Sequence, residues 1–80
     1  MKKQTREQVL NWMYDRIEQG IRNEEVGSCD SLDDTEGFTW HCTVGENDGF
    51  KAVFFTTCIN MFPFAIGHLT KDGKPSIRWD

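Results

Sequence analysis

The chain has 80 residues, thirteen acidic and nine basic side chains, and a formal charge of -4. A chain this short forms one domain and removes only about 60% of its unfolded surface from water, so nearly every large apolar group must join a single core. The acidic balance supplies no basic face for duplex nucleic acid, no stretch approaches the ~18 apolar residues of a membrane span, and a hydrophobic content of 38% with mixed charges argues against disorder.

From Thr5 to Ile21 the apolar residues recur with a helical period. At about 100° per residue, Val9, Leu10, Met13, Tyr14, Ile17 and Ile21 fall within an arc of about 140°, the width of a core-facing stripe, with Trp12 just outside it. Thr5 followed by Gln8 has the form of a capping box, and Gly20 is a candidate for the left-handed residue that ends the helix. Residues 23–37 follow as an acidic connection: from Glu24 to Glu36 there are six acidic side chains and no basic one. Its only sizeable apolar groups are Val26, Cys29 and Leu32, and it reads as a loop with one helical turn near Ser31 to Thr35.

After Gly37 the period changes to two. Phe38, Trp40, Cys42 and Val44 alternate with Thr39, His41 and Thr43, the mark of a half-buried strand. The turn signal GENDG, a second strand from Phe50 to Cys58, a third from Phe62 to Thr70 and a last one from Ser76 to Trp79 complete the chain. The expected fold class is α+β, with one N-terminal amphipathic helix packed on a four-stranded antiparallel meander. The chain is one domain over 1–80, with the helix at about 5–21, the connection at about 23–37 and the sheet at about 38–79.

Register assigns the faces. Pairing Val44 with Phe50 across GENDG puts Phe38, Trp40, Cys42, Val44, Phe50, Ala52 and Phe54 on the helix side. A two-residue Asp72-Gly73 loop pairs His68 with Ile77 and Ile66 with Trp79. A three-residue loop at 59–61, or a bulge of equal effect, pairs Phe54 with Ile66 and gathers the large groups on one face. The reverse face then carries His41, Lys51, Val53, Phe55, Ala65, Leu69 and Arg78. A slip of one residue would put each buried large group in water at roughly 1.5–3 kcal/mol.

The expected function is that of a small acidic, non-enzymatic protein-binding module of the inhibitor or adaptor kind. Its partner-binding residues are Val53, Phe55 and Leu69 with His41, since contiguous apolar patches mark contacts. Asp33 and Asp34 in the acidic connection would steer a basic protein partner, and a second copy of the chain is the other protein partner. The alternative is single-stranded nucleic-acid binding on the sheet face through Lys51, Arg78 and His41. No metal or cofactor is expected, because His41 and Cys42 point to opposite faces and no C-x2-C or H-x3-H spacing occurs. No catalysis is expected either: Cys42 and His68 lie about 9–10 Å apart on this register, and no nucleophile elbow, phosphate loop or carboxylate pair is recognisable. Three cysteines without a signal-peptide pattern point to free thiols and a cytoplasmic location. Phage anti-defence and immunity proteins share this composition, which would make that the host cytoplasm.

Overall fold

The computed structural model describes residues 4–57 and 60–79. The described residues form an α+β fold in which α1 (Arg6–Arg22) lies on one antiparallel sheet. The sheet comprises β1 (Cys29–Asp33), β2 (Thr39–Asn47), β3 (Phe50–Thr57), β4 (Asn60–Leu69) and β5 (Pro75–Trp79), a meander in the order β1-β2-β3-β4-β5. The helix on an antiparallel meander is as expected, with one strand more. No helix among the described residues is long and apolar enough to cross a membrane.

α1 begins as its sequence prescribes. The Thr5 hydroxyl accepts from the Gln8 amide and the Gln8 side chain accepts from the Thr5 amide, closing the capping box. The far end differs from expectation. Gly20 lies inside the last turn, and Glu24 takes the left-handed conformation at φ 52°. The Glu25 amide donates to the Gly20 carbonyl and the Glu24 amide to the Ile21 carbonyl, the paired bonds of a Schellman motif. Gly20 serves packing instead, since a Cβ there would stand 2.7 Å from Val44 Cγ2. Val9, Met13 and Ile17 bury the helix stripe against the sheet, and Ile17 lies over Gly67, where a side chain would overlap it.

The acidic connection is a strand rather than a loop. β1 pairs with β2 from Cys29–Thr43 to Asp33–Thr39, with Leu32 beside Trp40 and packed on the core. Strand propensity opposes a CDSLD segment; the ladder to β2 and a carboxylate at the turn oppose that preference. Asp34, 1% exposed, accepts from the Glu36 amide (2.9 Å), the Phe38 amide (3.0 Å) and Trp40 Nε1 (2.7 Å). Burial pushes this carboxyl up, but the three hydrogen bonds and the Arg6 charge outweigh it and hold Asp34 below the usual aspartate range.

The β2–β3 register corrects the expected faces. β2 continues to Asn47, which pairs with Phe50 across the two residues Asp48 and Gly49, both at positive φ (53° and 82°) as a type I′ turn requires. Val44 therefore pairs with Val53 and Cys42 with Phe55. Val53 and Phe55 are each 0% exposed in the core, together with Trp40, Cys42, Val44 and Ala65. Phe54 and Phe50 move to the reverse face.

The β4–β5 register is also one residue off the expected one. Thr70 and Lys74 close a three-residue loop over Lys71 to Gly73, with only Gly73 left-handed (φ 78°). Ala65 then pairs with Trp79, Ile66 with Arg78 and Gly67 with Ile77. Phe54 does pair with Ile66 as expected, but the pair faces away from the helix. Of the two expected connections, a three-residue loop at 59–61 or a bulge of equal effect, the pairing follows the second, with residue 59 outside the described residues. A Thr57–Asn60 pair is followed by an irregularity in which β4 spends five steps against two on β3. It leaves Phe64 between Trp40 and Trp79, with ring centroids 5.0 Å and 6.1 Å away.

Candidate partner-binding face

The face of the sheet opposite α1 is built by alternation from the corrected registers. One cross-strand row runs Cys29, Thr43, Phe54, Ile66, Arg78. A second joins Ser31, His41 and Thr56. Phe50, two positions before Ala52, projects at the hairpin end and is 77% exposed, which leaves most of an apolar ring in water. Phe54 is half-buried because its ring leans over β2, where Gly45 leaves room: a Cβ at Gly45 would be 3.1 Å from Phe54 Cε2.

The β3–β4 ladder ends at the Val53–Gly67 pair. Beyond it a groove of about 590 Å³ opens, lined on one side by Phe50, Ala52, Ile66, His68 and Arg78 and closed by Ile21 and Leu69. It is bounded at the β2–β3 turn by residues 47–49 and Lys51, so that the Asp48 carboxylate and the Lys51 stem are also part of its wall. That volume lies within the ~300–1,000 Å³ usual for ligand-sized clefts.

The expected partner-binding residues do not come together. Val53 and Phe55 are interior, Phe55 meeting Trp12 edge-on at 6.0 Å. Leu69 is half-buried against the core and also borders the groove. His41 is on the reverse face as expected, half-buried on β2 and outside the groove lining, six residues before Asn47, which borders the groove. Asp33 accepts a 2.7 Å hydrogen bond from the Thr39 hydroxyl, and Asp34 is the buried carboxylate described above. Phe50, Phe54 and Ile66 replace them at the surface. The signal that would have found these residues is Asp48-Gly49, a dipeptide suited to a two-residue type I′ turn.

Charge is distributed unevenly. Arg6 pairs with Glu36, Arg16 with Glu25 (2.9 Å) and more loosely with Asp30 (3.9 Å), and Arg22 with Glu18 (3.4 Å). Lys51, expected on the reverse face, lies two positions from Val53 and so shares its side of β3, toward the helix, and it pairs with Glu24, holding that carboxyl below its usual range. Among the described residues Lys71, Lys74 and Arg78 have no acidic partner, and all three belong to the β4–β5 hairpin.

Cys29 is exposed and Cys42 buried, both as free thiols; Cys58, expected to be free as well, lies outside the described residues. Burial pushes the Cys42 thiol up, against the opposing pull of Arg16. Among the described residues no three His, Cys, Asp or Glu side chains gather in a way that would hold a metal ion. No family model, curated protein or solved structure matches this chain.

Proposed function

We propose that the chain is a non-enzymatic protein-binding module of the inhibitor or adaptor kind, which docks its partner on the sheet face opposite α1. The observation that carries this reading is Phe50, an aromatic ring 77% exposed at the mouth of a groove that also holds Ile66 and Arg78. Aromatic side chains in such positions are the usual energetic anchors of an interface. A small domain whose stability depends on burying its large apolar groups gains nothing for its own fold from this one.

The single-stranded nucleic-acid reading loses support on this geometry. It needed Lys51 and Arg78 as free cations on an aromatic face, whereas Lys51, although it lines the same groove as Arg78, is paired with Glu24. The basic partner also loses its footing, because the acidic segment expected to steer it is β1. Within that segment Glu25 pairs with Arg16 and Asp34 is buried.

Affinity capture from lysate with three proteins tests the proposal: the wild type, Phe50→Asp and Asp15→Lys, the last altering exposed helix surface. A partner retained by the wild type and Asp15→Lys but lost by a folded Phe50→Asp is the expected result. Sedimentation velocity of the wild type and Phe50→Asp distinguishes a second copy of the chain from a foreign partner. A partner held equally by Phe50→Asp and the wild type overturns the assignment of the face.

A further inference from the structure

The groove beside Phe50 joins an apolar wall to Arg78, one of three cations without an acidic partner among the described residues, while Asp48 and the Glu24-paired Lys51 line its turn end. In a chain of charge -4, each of the other described Lys and Arg side chains has an acidic neighbour. Arg78 lines the groove, and Lys71 and Lys74 occupy the loop that follows Leu69 at its edge. Taking up an anion there meets local positive charge, while the molecule as a whole repels a long polyanion.

Resting on the face proposed above, we infer that the groove's occupant is a short acidic segment of a partner protein that carries one large apolar side chain. The side chain enters between Phe50 and Ile66, and flanking carboxylates meet Arg78 and the two lysines. Arg78 can bind a carboxylate in two-pronged fashion. Lys71 and Lys74, exposed on a loop, act as point charges that raise the encounter rate more than the lifetime. A nucleic-acid strand fits less well. Its phosphates recur along its whole length and need cations along the track, whereas these three are gathered at one hairpin, and the Phe54 face is turned down over Gly45.

Selection of a phage-displayed random dodecapeptide library on the wild type tests this, followed by titration of the enriched peptide made synthetically. The titration uses the wild type, Phe50→Ser and the triple variant Lys71→Glu, Lys74→Glu, Arg78→Glu, each first checked for unchanged circular dichroism. The enriched peptides should carry net negative charge around a Phe, Leu or Trp. The triple variant should bind the winning peptide about tenfold or more weakly, and raising NaCl from about 50 to about 500 mM should weaken wild-type binding. Enriched peptides that are neutral or basic and still need Phe50 overturn the acidic occupant and leave the face intact. Peptides that bind Phe50→Ser as well as the wild type overturn the face itself. An oligothymidylate that binds the wild type more tightly than the winning peptide, or a selection that enriches nothing, also overturns the inference.

Discussion

Replacing Phe55 by alanine and, separately, Phe54 by alanine tests the sheet register directly, because the two adjacent rings point to opposite faces. Phe55 is fully buried, packs edge-on to Trp12 at 6.0 Å, and its Cε2 would lie 3.4 Å from a Cβ at Gly67. Its removal leaves a ring-sized cavity beneath α1, a change that costs about 3–5 kcal/mol. Phe54 is half-buried against Gly45, so its truncation forfeits only part of a side-chain transfer, about 1 kcal/mol. A domain of this size has about 4–12 kcal/mol of total stability, so Phe55→Ala should be marginally folded while Phe54→Ala remains robust. Urea titrations followed by tryptophan fluorescence would show the Phe55→Ala midpoint at least about 2 M below that of Phe54→Ala, at an m-value near 1 kcal/mol/M. The register first read from the sequence, with Phe54 inside, demands the opposite order. If Phe54→Ala is the more destabilised variant, the Asn47–Phe50 pairing is wrong, and so is the reverse face built on it.

The remaining expectations are briefer. Asp34 has a lowered pKa in the fold, so it contributes stability that is complete above the unfolded value near 4 and is lost as pH falls through the folded one. Asp34→Asn should cost about 1–3 kcal/mol at neutral pH by weakening the turn and Trp40 bonds, and acid titration by circular dichroism should show a shallower loss below about pH 4 than in the wild type. Iodoacetamide on the native protein should label Cys29 and leave Cys42 unmodified until denaturant is added, as intact mass with peptide mapping would show; rapid native labelling of Cys42 would contradict its burial. Gly45→Val should be as stable as the parent or up to about 1 kcal/mol more so, since Gly weakens a strand. It should bind the selected peptide as well as the parent does, because the Phe54 ring that it displaces is not among the residues lining the groove; a loss of affinity would show that the occupant reaches beyond the groove to Phe54.

What the sequence conveyed and what it withheld follow from the same physics. α1 was legible because its stripe has one period and one apolar side, and its cap is spelled out by Thr5 and Gln8. β2 was legible because Trp40, Cys42 and Val44 alternate with polar neighbours, and all three are buried. β3 was not. Its Ala52, Val53, Phe54 and Phe55 are consecutive apolar residues, so either register buries a Phe and the pattern cannot choose between them. The choice fell to the turn, and the dipeptide Asp-Gly occurs at both hairpins with different outcomes. Asp48-Gly49 forms the two-residue turn, whereas Asp72-Gly73 sits within a three-residue loop where only the glycine is left-handed. β1 was hidden for another reason: Leu32 is its one large group packed on the core, and its pairing depends on a ladder with distant residues and on Asp34.

These registers also decide where charge is left over, and so from which side a partner approaches. Read as a solvated loop, the segment from Glu24 to Glu36 looked like a free acidic lure at one end of the sheet. Folded as β1 and its flanking turns, it brings Glu24, Glu25, Asp30 and Glu36 within reach of Lys51, Arg16 and Arg6, and much of its charge is spent inside the molecule. The cations so consumed are those of the helix and the β3 start. Those not consumed sit at the other edge, on β5 and the loop before it. The three-residue β4–β5 loop puts Arg78 level with Ile66, and the two-residue β2–β3 turn sends Phe54 and Phe50 to the same side. A one-residue change in either turn would separate the ring from the guanidinium by a full sheet thickness. The apolar anchor and the unneutralised charge share a face only because both turns have the lengths they do, which ties the proposed binding chemistry to two loops rather than to any motif.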